Sequence, residues 1–298
     1  MTTSPHTRLG TPLGLTSTWL RPSAVSPLTP EAHDAFLKQA DAAIASHPKT
    51  VLDYSGGKDS LACLYLLEPF WDRITVLWAH GGDPYPEVVE HMEKVRRQVK
   101  EFVEVAGDLK KNNEERGFAA PVIPFLNTLV WRTLAKGGRE PLLQDAISCC
   151  IENKWRHLWQ AHLKLGATMV VDGIRFAEAE TPRWMEGQLP VNGQFGVSYW
   201  RPIYGWSEED VLRFLASRGV ELPESYKYGG KSLECKACIG YPGQDETALR
   251  YCDAKHPDIA KEMRRRLTIT RTTVAEALIE IDTLMTDARP RSAWPEER

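Results

Sequence analysis

The sequence predicts an α/β protein: an open, mainly parallel, twisted sheet with helices on both faces, followed by a helical C-terminal region. Three observations carry this. Short apolar runs rich in β-branched and aromatic residues alternate with segments of helical period. One such run, Thr50 to Tyr54, passes through a glycine turn straight into a helix, in "TVLDYSGGKDSLACLYLL". The chain from Gln244 to Asp287 is helical in pattern throughout. Strands that alternate with helices form parallel sheets, and their right-handed crossovers cover both faces.

The elements are taken in chain order. Residues 1–30 are rich in Ser, Thr and Pro and read as a loose or surface-draped arm. A helix is predicted from Pro30 to Ser46, with Phe36, Leu37, Ala40, Ala43 and Ile44 on one face. After the Thr50–Tyr54 strand and its glycine turn, a helix runs from Lys58 to Leu67. "RITVLWA" (Arg73 to Ala79) is a second strand, "HGGDPYP" a turn, Glu87 to Lys100 a charged helix, and "FVEV" (Phe102 to Val105) a third strand. Residues 107–147 give no regular pattern. A helix is predicted over Glu152 to Leu165, a strand and loop over Ala167 to Arg175, and a short strand in "WRPIYGW" (Trp200 to Trp206). Ser207 suits a helix N-cap with Asp210 three residues on.

Composition narrows the function. The 298 residues are 42% hydrophobic and 26% charged with a formal net charge of −3, as expected of a globular protein without an overall basic field for nucleic acid. No apolar run approaches the ~20 residues of a membrane span, and no secretory signal is visible, so the expected compartment is the cytoplasm. The six cysteines there point to metal or redox chemistry rather than disulfides.

Residues 55–60, Ser-Gly-Gly-Lys-Asp-Ser, suit an oxyanion. Gly56 and Gly57 let the backbone turn tightly and approach a ligand. The helix behind them presents unpaired N–H groups and a positive dipole end. Ser55 and Ser60 add hydroxyl donors and Lys58 a full charge, while Asp59 is placed to orient Mg2+ or a water. The loop is neither a Walker loop nor a dinucleotide fingerprint. A polar helix start behind a glycine turn is the plainer alternative.

SGGKDS after an apolar strand resembles the PP-loop of the adenine nucleotide α-hydrolase-like (HUP-like) superfamily, and within it the chain resembles the PAPS reductase (CysH-type) family. "GGDPYPEVVEHM", "DGIRFAEAETPRW" and "RPIYGWSEEDVLRFLASRGVELPESY" are similar to that family's further segments. The resemblance covers about Thr50 to Gly243. It implies an adenosine nucleotide over the C-terminal ends of the strands, with Gly173, Arg175 and Arg183 joining the loop as binding residues and Lys58 and Asp59 in catalytic roles. Ala179 stands where the family has Ser after Glu178, and Arg183 comes one residue late. Arg175 is suited to bidentate contact with phosphate or sulfate; pairing with Glu178 or Glu180 on the surface is the alternative.

Cys149-Cys150 and Cys235-Lys-Ala-Cys238 resemble the [4Fe–4S] motif of APS-type reductases. Adjacent cysteines diverge and can reach two different irons, whereas zinc ligands usually stand two to four residues apart. Zinc and a pair of buried structural cysteines remain as alternatives. Cys63 reads as core, and Cys252 as a spare thiol. The family's attacking cysteine lies in an ECGxH-like setting that Cys252 lacks. The loop resembles the form that splits ATP between its α and β phosphates, and such enzymes can replace the activated oxygen with sulfur.

The expected organisation is thus an arm over 1–30, a nucleotide-binding and iron–sulfur domain over 31–243, and a helical extension over 244–298. The expected function is ATP-dependent adenylation with sulfur transfer, an electron or sulfur donor protein being the implied partner. The alternatives are an APS/PAPS reductase with a non-standard nucleophile, and a non-catalytic nucleotide and cluster component of a larger assembly. Among ten tryptophans, Trp155, Trp159, Trp200 and Trp206 lie near the motifs, as core or as stacking surfaces for a base. His80, at a strand end, is a candidate nucleotide contact; His91, His157, His162 and His256 read as surface. "KEMRRR" (Lys261 to Arg266) is a basic face, solvated or facing a phosphate backbone in a nucleic-acid substrate.

Overall fold

Strand β1 (Thr50–Asp53) is buried on both faces, and that requires covering layers on each side of it. The computed structural model describes residues 29–135, 138–175, 197–229, 232–241 and 245–287. It places β1 at the centre of a five-stranded sheet with β2 (Ile74–His80), β3 (Glu101–Ala106), β6 (Met169–Val171) and β7 (Ser198–Trp200), in the order β3-β2-β1-β6-β7. All four pairings are parallel, as the alternation of elements predicts. The most N-terminal residues of the predicted arm lie outside the described residues.

Alternate residues of the strands face opposite layers. Leu52, Val76, Met169 and Val171 pack with residues of helices α1 (Pro30–Ser46), α2 (Lys58–Leu66), α3 (Pro86–Gln98) and α8 (Glu208–Ser217). Val51, Leu77 and Val170 pack against Ala161 and Leu158 of α7 (Arg156–Leu165) on the other face. Each fully buried Leu or Val contributes about 1.5–3 kcal/mol. Helix α1 has the predicted bounds and buries Phe36, Ala40, Ala43 and Ile44. Ser207 caps α8 reciprocally, its Oγ accepting from Asp210 N at 3.1 Å while Asp210 Oδ2 accepts from Ser207 N at 3.0 Å.

Residues 107–147, without a regular pattern in sequence, hold α4 (Leu109–Arg116), α5 (Leu129–Ala135) and a two-stranded parallel pair, β4 (Phe118–Ala119) with β5 (Leu143–Gln144). They build a further core with the C-terminal helices α9 (Asp245–Lys255) and α10 (Pro257–Asp287): Phe118, Leu143, Ala237 and Ile239 pack there with Tyr251, Ala260 and Met263. The predicted helix over 152–165 starts earlier, as α6 (Ala146–Cys150), and passes through a π-helical turn (Ile151–Trp155) into α7. The strand predicted over Trp200–Trp206 is corrected: β7 ends at Trp200, and residues 202–205 form a turn, with Trp206 N bonded to Ile203 O at 2.9 Å. Among the described residues no helix is long and apolar enough to cross a membrane.

The chain runs outward from β1 to β2 and β3, then returns to place β6 and β7 on the other side. The sheet order therefore reverses beside β1. Open α/β sheets bind ligands in the crevice at that point, beyond the carboxyl ends of the strands.

Candidate functional site

Residues 55–60 lie in that crevice, between β1 and the first turn of α2. Gly56 has φ +79°, a left-handed conformation that a side chain would strain. The two serines brace the loop: Ser60 Oγ donates to Gly57 O at 3.0 Å and stands 3.2 Å from Ser55 Oγ. Lys58 and Asp59 are ion-paired at 2.8 Å. Burial pulls the Lys58 pKa down, but the Asp59 carboxylate more than offsets this and leaves it raised.

Arg175 reaches the same carboxylate from the loop after β6, its Nε donating to Asp59 Oδ1 at 2.7 Å. It is only 4% exposed, so it is not a surface arginine; Glu178 and Glu180, its alternative partners, lie outside the described residues. Gly173 is needed for close approach, because a Cβ there would lie 2.8 Å from the Asp59 carbonyl carbon and 2.9 Å from Ser60 N. Asp172, just before it, accepts from Arg201 Nε at 3.1 and 3.2 Å; burial pushes its carboxyl up to about 6 against the pull of that arginine. Lys58, Asp59, Gly173 and Arg175 therefore stand together. Glu178, Ala179 and Arg183 lie outside the described residues.

The four cysteines of the two motifs line one cavity of about 30 Å³, with Lys154 and Arg266 in its wall. Asp145 caps α6 by accepting from Ser148 N at 2.7 Å, and this sets Cys149 and Cys150 at the helix end. Asn153, within the π turn, donates to Cys149 O at 2.9 Å and to its Sγ at 3.6 Å. Tyr241 OH is 3.3 Å from Cys150 Sγ. Cys235 forms a β-bridge with Pro84 of the segment after β2, and Lys236 N donates to Asp83 O at 3.2 Å. Cys238 closes a turn on Cys235 O at 3.4 Å through Ala237, whose φ is +53°. Arg266 of α10 fixes that turn by donating to Ala237 O at 2.8 Å. Burial pushes the Cys149 thiol up to about 11 and raises those of Cys150 and Cys235.

The four sulfurs are the donor type that an iron–sulfur cluster takes, with cationic groups to offset thiolate charge. Among the described residues no three His, Cys, Asp or Glu side chains stand close enough to hold one metal ion. Cys150, Cys235 and Cys238 also face an adjoining cavity of about 250 Å³, so the sulfurs have room to spread.

Several expectations change. Cys252, read as a spare thiol, is a free cysteine but fully buried, its sulfur 3.3 Å from Tyr85 OH; burial raises its pKa, so it is not activated. Cys63 is core, as expected, its thiol directed at Asp172 O. His162 is not on the surface: it is buried and bonds Asp53 Oδ1 at 2.7 Å. His91, also read as surface, is half-buried against Tyr54, 2.5 Å from its hydroxyl. His80 stacks on Trp78 and is held between Gly82 N and Glu104. Trp200 and Trp206 are core. The "KEMRRR" face is not wholly solvated, since Met263 is buried and Arg266 turns inward. Sequence reasoning missed Tyr226, whose hydroxyl accepts from Lys58 N at 2.9 Å at the start of α2, and Asn153, Tyr241 and Arg266 around the cysteines. Only the proximity of Asn153 to the cysteine pair was a signal in the sequence.

The reversed parallel sheet and its glycine loop define an α/β protein of the PP-loop kind. The family described as the phosphoadenosine phosphosulfate reductase domain matches residues 49–241, and the chain belongs to it. A curated relative, an uncharacterized 37.8 kDa protein in the gpa 5' region of Escherichia phage 186, is 24% identical over 230 residues, 63% of this chain and 66% of its own length. The chain therefore spans just under two thirds of that relative. Among solved structures, phosphoadenylyl-sulfate reductase from Candida auris in a phosphate complex is similar at a TM-score of 0.45 and 16% identity, over 70% of this chain and 96% of that one. The U34-tRNA thiolase NcsA from Methanococcus maripaludis, with its [4Fe–4S] cluster, is similar at a TM-score of 0.42 and 14% identity, over 79% of this chain and 80% of that one.

Proposed function

We propose that the chain binds an adenosine nucleotide, ATP in preference to APS or PAPS, at residues 55–60, and a [4Fe–4S] cluster at Cys149, Cys150, Cys235 and Cys238. It then joins the two in adenylation and sulfur transfer to an acceptor. The observation that carries this is a single crevice lined by both Ser55 of the loop and Cys235. Ser55, Gly56, Gly57, Lys58 and Ser60 receive the phosphates, with Gly173 and Arg175 beside them and Arg183, outside the described residues, as a further binding residue. Asp59, now shared by Lys58 and Arg175, gives both cations up to the phosphates and turns to Mg2+. A bound cluster would supply a site for sulfide or for electrons. On this reading residues 31–243 carry both sites, Arg266 of α10 braces the cysteine loop, and an electron or sulfur donor protein restores the starting state.

The family's own description favours a second reading, a reductase acting on APS or PAPS. It needs an attacking thiol, and the two cysteines outside the motifs, Cys63 and Cys252, are both fully buried. Anaerobic purification followed by iron, sulfide and zinc analysis tests the cluster; zinc without iron rejects it. Separate titrations with ATP, APS and PAPS test the nucleotide. Pyrophosphate release from ATP supports the first reading. Sulfite release from APS or PAPS, with no pyrophosphate from ATP, replaces it by the second. Lys58→Ala should weaken nucleotide binding at least tenfold, and unchanged affinity would remove the loop from the site.

A further inference from the structure

We infer that the chain forms a dimer in which the C-terminal halves of two α10 helices pack antiparallel across a two-fold axis. The inference goes beyond the proposed activity and is independent of it. Helix α10 (Pro257–Asp287) has 31 residues and is therefore about 46 Å long. One stripe of mainly apolar residues runs along it at spacings of three and four. Ala260, Met263, Leu267 and Thr270 carry it in the first half, and Val274, Ala277, Ile281 and Leu284 in the second. This is the heptad seam of a coiled coil.

Only the first half of the seam is covered. Ala260, Met263 and Thr270 are buried, and the first two pack with Phe118, Ala237 and Ile239. Leu267 stands at the edge of that cover. Beyond Val274 the cover ends, with Ile281 51% and Leu284 73% exposed. Leu278 and Met285, which widen the stripe, are exposed as well. The same helix face is thus core at one end and bare at the other, and contiguous bare apolar faces mark interaction sites. An ion pair of Glu280 with Arg139 ties the bare half to the body.

The position of the cover selects both the orientation and the partner. A second α10 laid parallel on the bare half would run back into the body that covers the first half. Laid antiparallel, it arrives from beyond the helix end and stops where the body begins, so each copy completes the seam of the other. The two bodies then stand at opposite ends, and the contact closes on itself as an isologous interface does. A register centred on the bare half sets Val274 opposite the second copy's Leu284, and Ala277 opposite the second copy's Ile281. The second of these layers is small against large, as interdigitation favours. The two Glu280 come near one another at the axis, and each brings the Arg139 that offsets its charge. Residues 272–287 contain no Lys or Arg, so this face is not built for an anionic lipid surface. Two heptads make a short seam beside the about 800 Å² per partner of a standard interface, so the dimer is reversible.

Sedimentation velocity of the full-length chain over a wide range of concentration should show a monomer–dimer equilibrium. Ile281→Glu combined with Leu284→Glu should weaken it at least about tenfold, as the burial of one large apolar side chain is worth. Ile279→Glu is the control: Ile279 is 64% exposed but lies on the opposite side of the helix, so association should not change. Val274→Cys with Leu284→Cys in one chain should cross-link two copies under mild oxidation, and Val274→Cys alone should not, the parent being measured alongside. A parent that is monomeric at every concentration overturns the inference and assigns the face to another segment of this chain or to a different protein. It is also overturned by association that Ile281→Glu with Leu284→Glu leaves unchanged, or that Ile279→Glu weakens equally. Cross-linking through Val274→Cys alone overturns it too, as the signature of a parallel pair. Equal urea midpoints at dilutions where parent and variant are both monomeric show that the variant is folded, and the cross-link comparison does not depend on the glutamate variants.

Discussion

Gly173→Ala should loosen the nucleotide loop without touching any group that contacts the ligand through its side chain. The added methyl would stand 2.8 Å from the Asp59 carbonyl carbon and 2.9 Å from Ser60 N, against 3.4 Å or more for ordinary contact. Both neighbours are backbone atoms of the first turn of α2, so no rotamer change relieves the overlap. Either the loop after β6 or the start of α2 must move by about half an ångström or more. Overpacking of this kind costs about 1–3 kcal/mol, which in a chain of this size lowers the thermal midpoint by roughly 2–4 °C per kcal/mol. The displacement also disturbs Asp59, which holds Arg175 at 2.7 Å and Lys58 at 2.8 Å. Misplacement by about 1 Å can cost a hundredfold, so ATP affinity should fall at least tenfold. Urea denaturation gives the stability and calorimetric titration the affinity. Gly205→Ala is the control: a Cβ there meets nothing within 4 Å, so neither quantity should change. A Gly173→Ala protein as stable as the parent and with the parent's ATP affinity would refute the close-approach argument.

Asp172 predicts a pH dependence. Its carboxyl is raised to about 6 by burial, held back by Arg201 and pushed further by Asp53. A raised carboxylate means that the folded state keeps its proton where the unfolded state has lost it, so this group's contribution is present below about pH 4 and is lost as pH rises to about 6, by up to about 3 kcal/mol. Asp172→Asn should therefore gain on the parent over that interval in urea midpoints taken at each pH; a parallel pair of curves would reject the shift. Tyr226→Phe frees Lys58 N, now 2.9 Å from the hydroxyl, and should tighten pyrophosphate binding several-fold by calorimetry; weaker binding would make the hydroxyl a ligand contact instead. Arg266→Gln replaces a charged hydrogen bond to Ala237 O, worth about 1.5–3 kcal/mol, and should lower both the urea midpoint and the iron retained after anaerobic purification. Full iron content at reduced stability would confine Arg266 to a structural role.

The part of the fold that forms the sheet was legible because local pattern and tertiary demand agree there. Thr50–Asp53 must be apolar on both sides to sit at the centre of a covered parallel sheet, and Pro30–Ser46 must be apolar on one side to cover it. The loop was legible for the same reason, since Gly56 at φ +79° is dictated locally. Residues 107–147 were not, because two-residue strands such as Phe118–Ala119 carry no period and are defined only by their partners. The turn after Trp200 was read as strand because Ile203 and Trp206 are apolar, but they are buried under the helices rather than in the ladder. Tyr226 and Arg266 were invisible for a further reason: each acts on a segment far away in sequence, Lys58 and Ala237, by hydrogen bonds that spacing cannot foretell.

A short run of chain joins the two candidate sites. Ser232 and Leu233 line the cavity of about 390 Å³ at the loop, and Ser232 Cβ would stand 3.1 Å from a Cβ on Gly57. Glu234 and Cys235, next in sequence, line the cavity that holds the four cysteines. Cys235 is in turn bridged to Pro84, in the segment that leaves β2 beside the loop. Ser232 at the loop and Cys235 among the sulfurs are thus three residues apart, and the Pro84 bridge ties Cys235 to the sheet side. The loop and the cysteines, which the sequence keeps far apart, thus share one wall in residues 232–235.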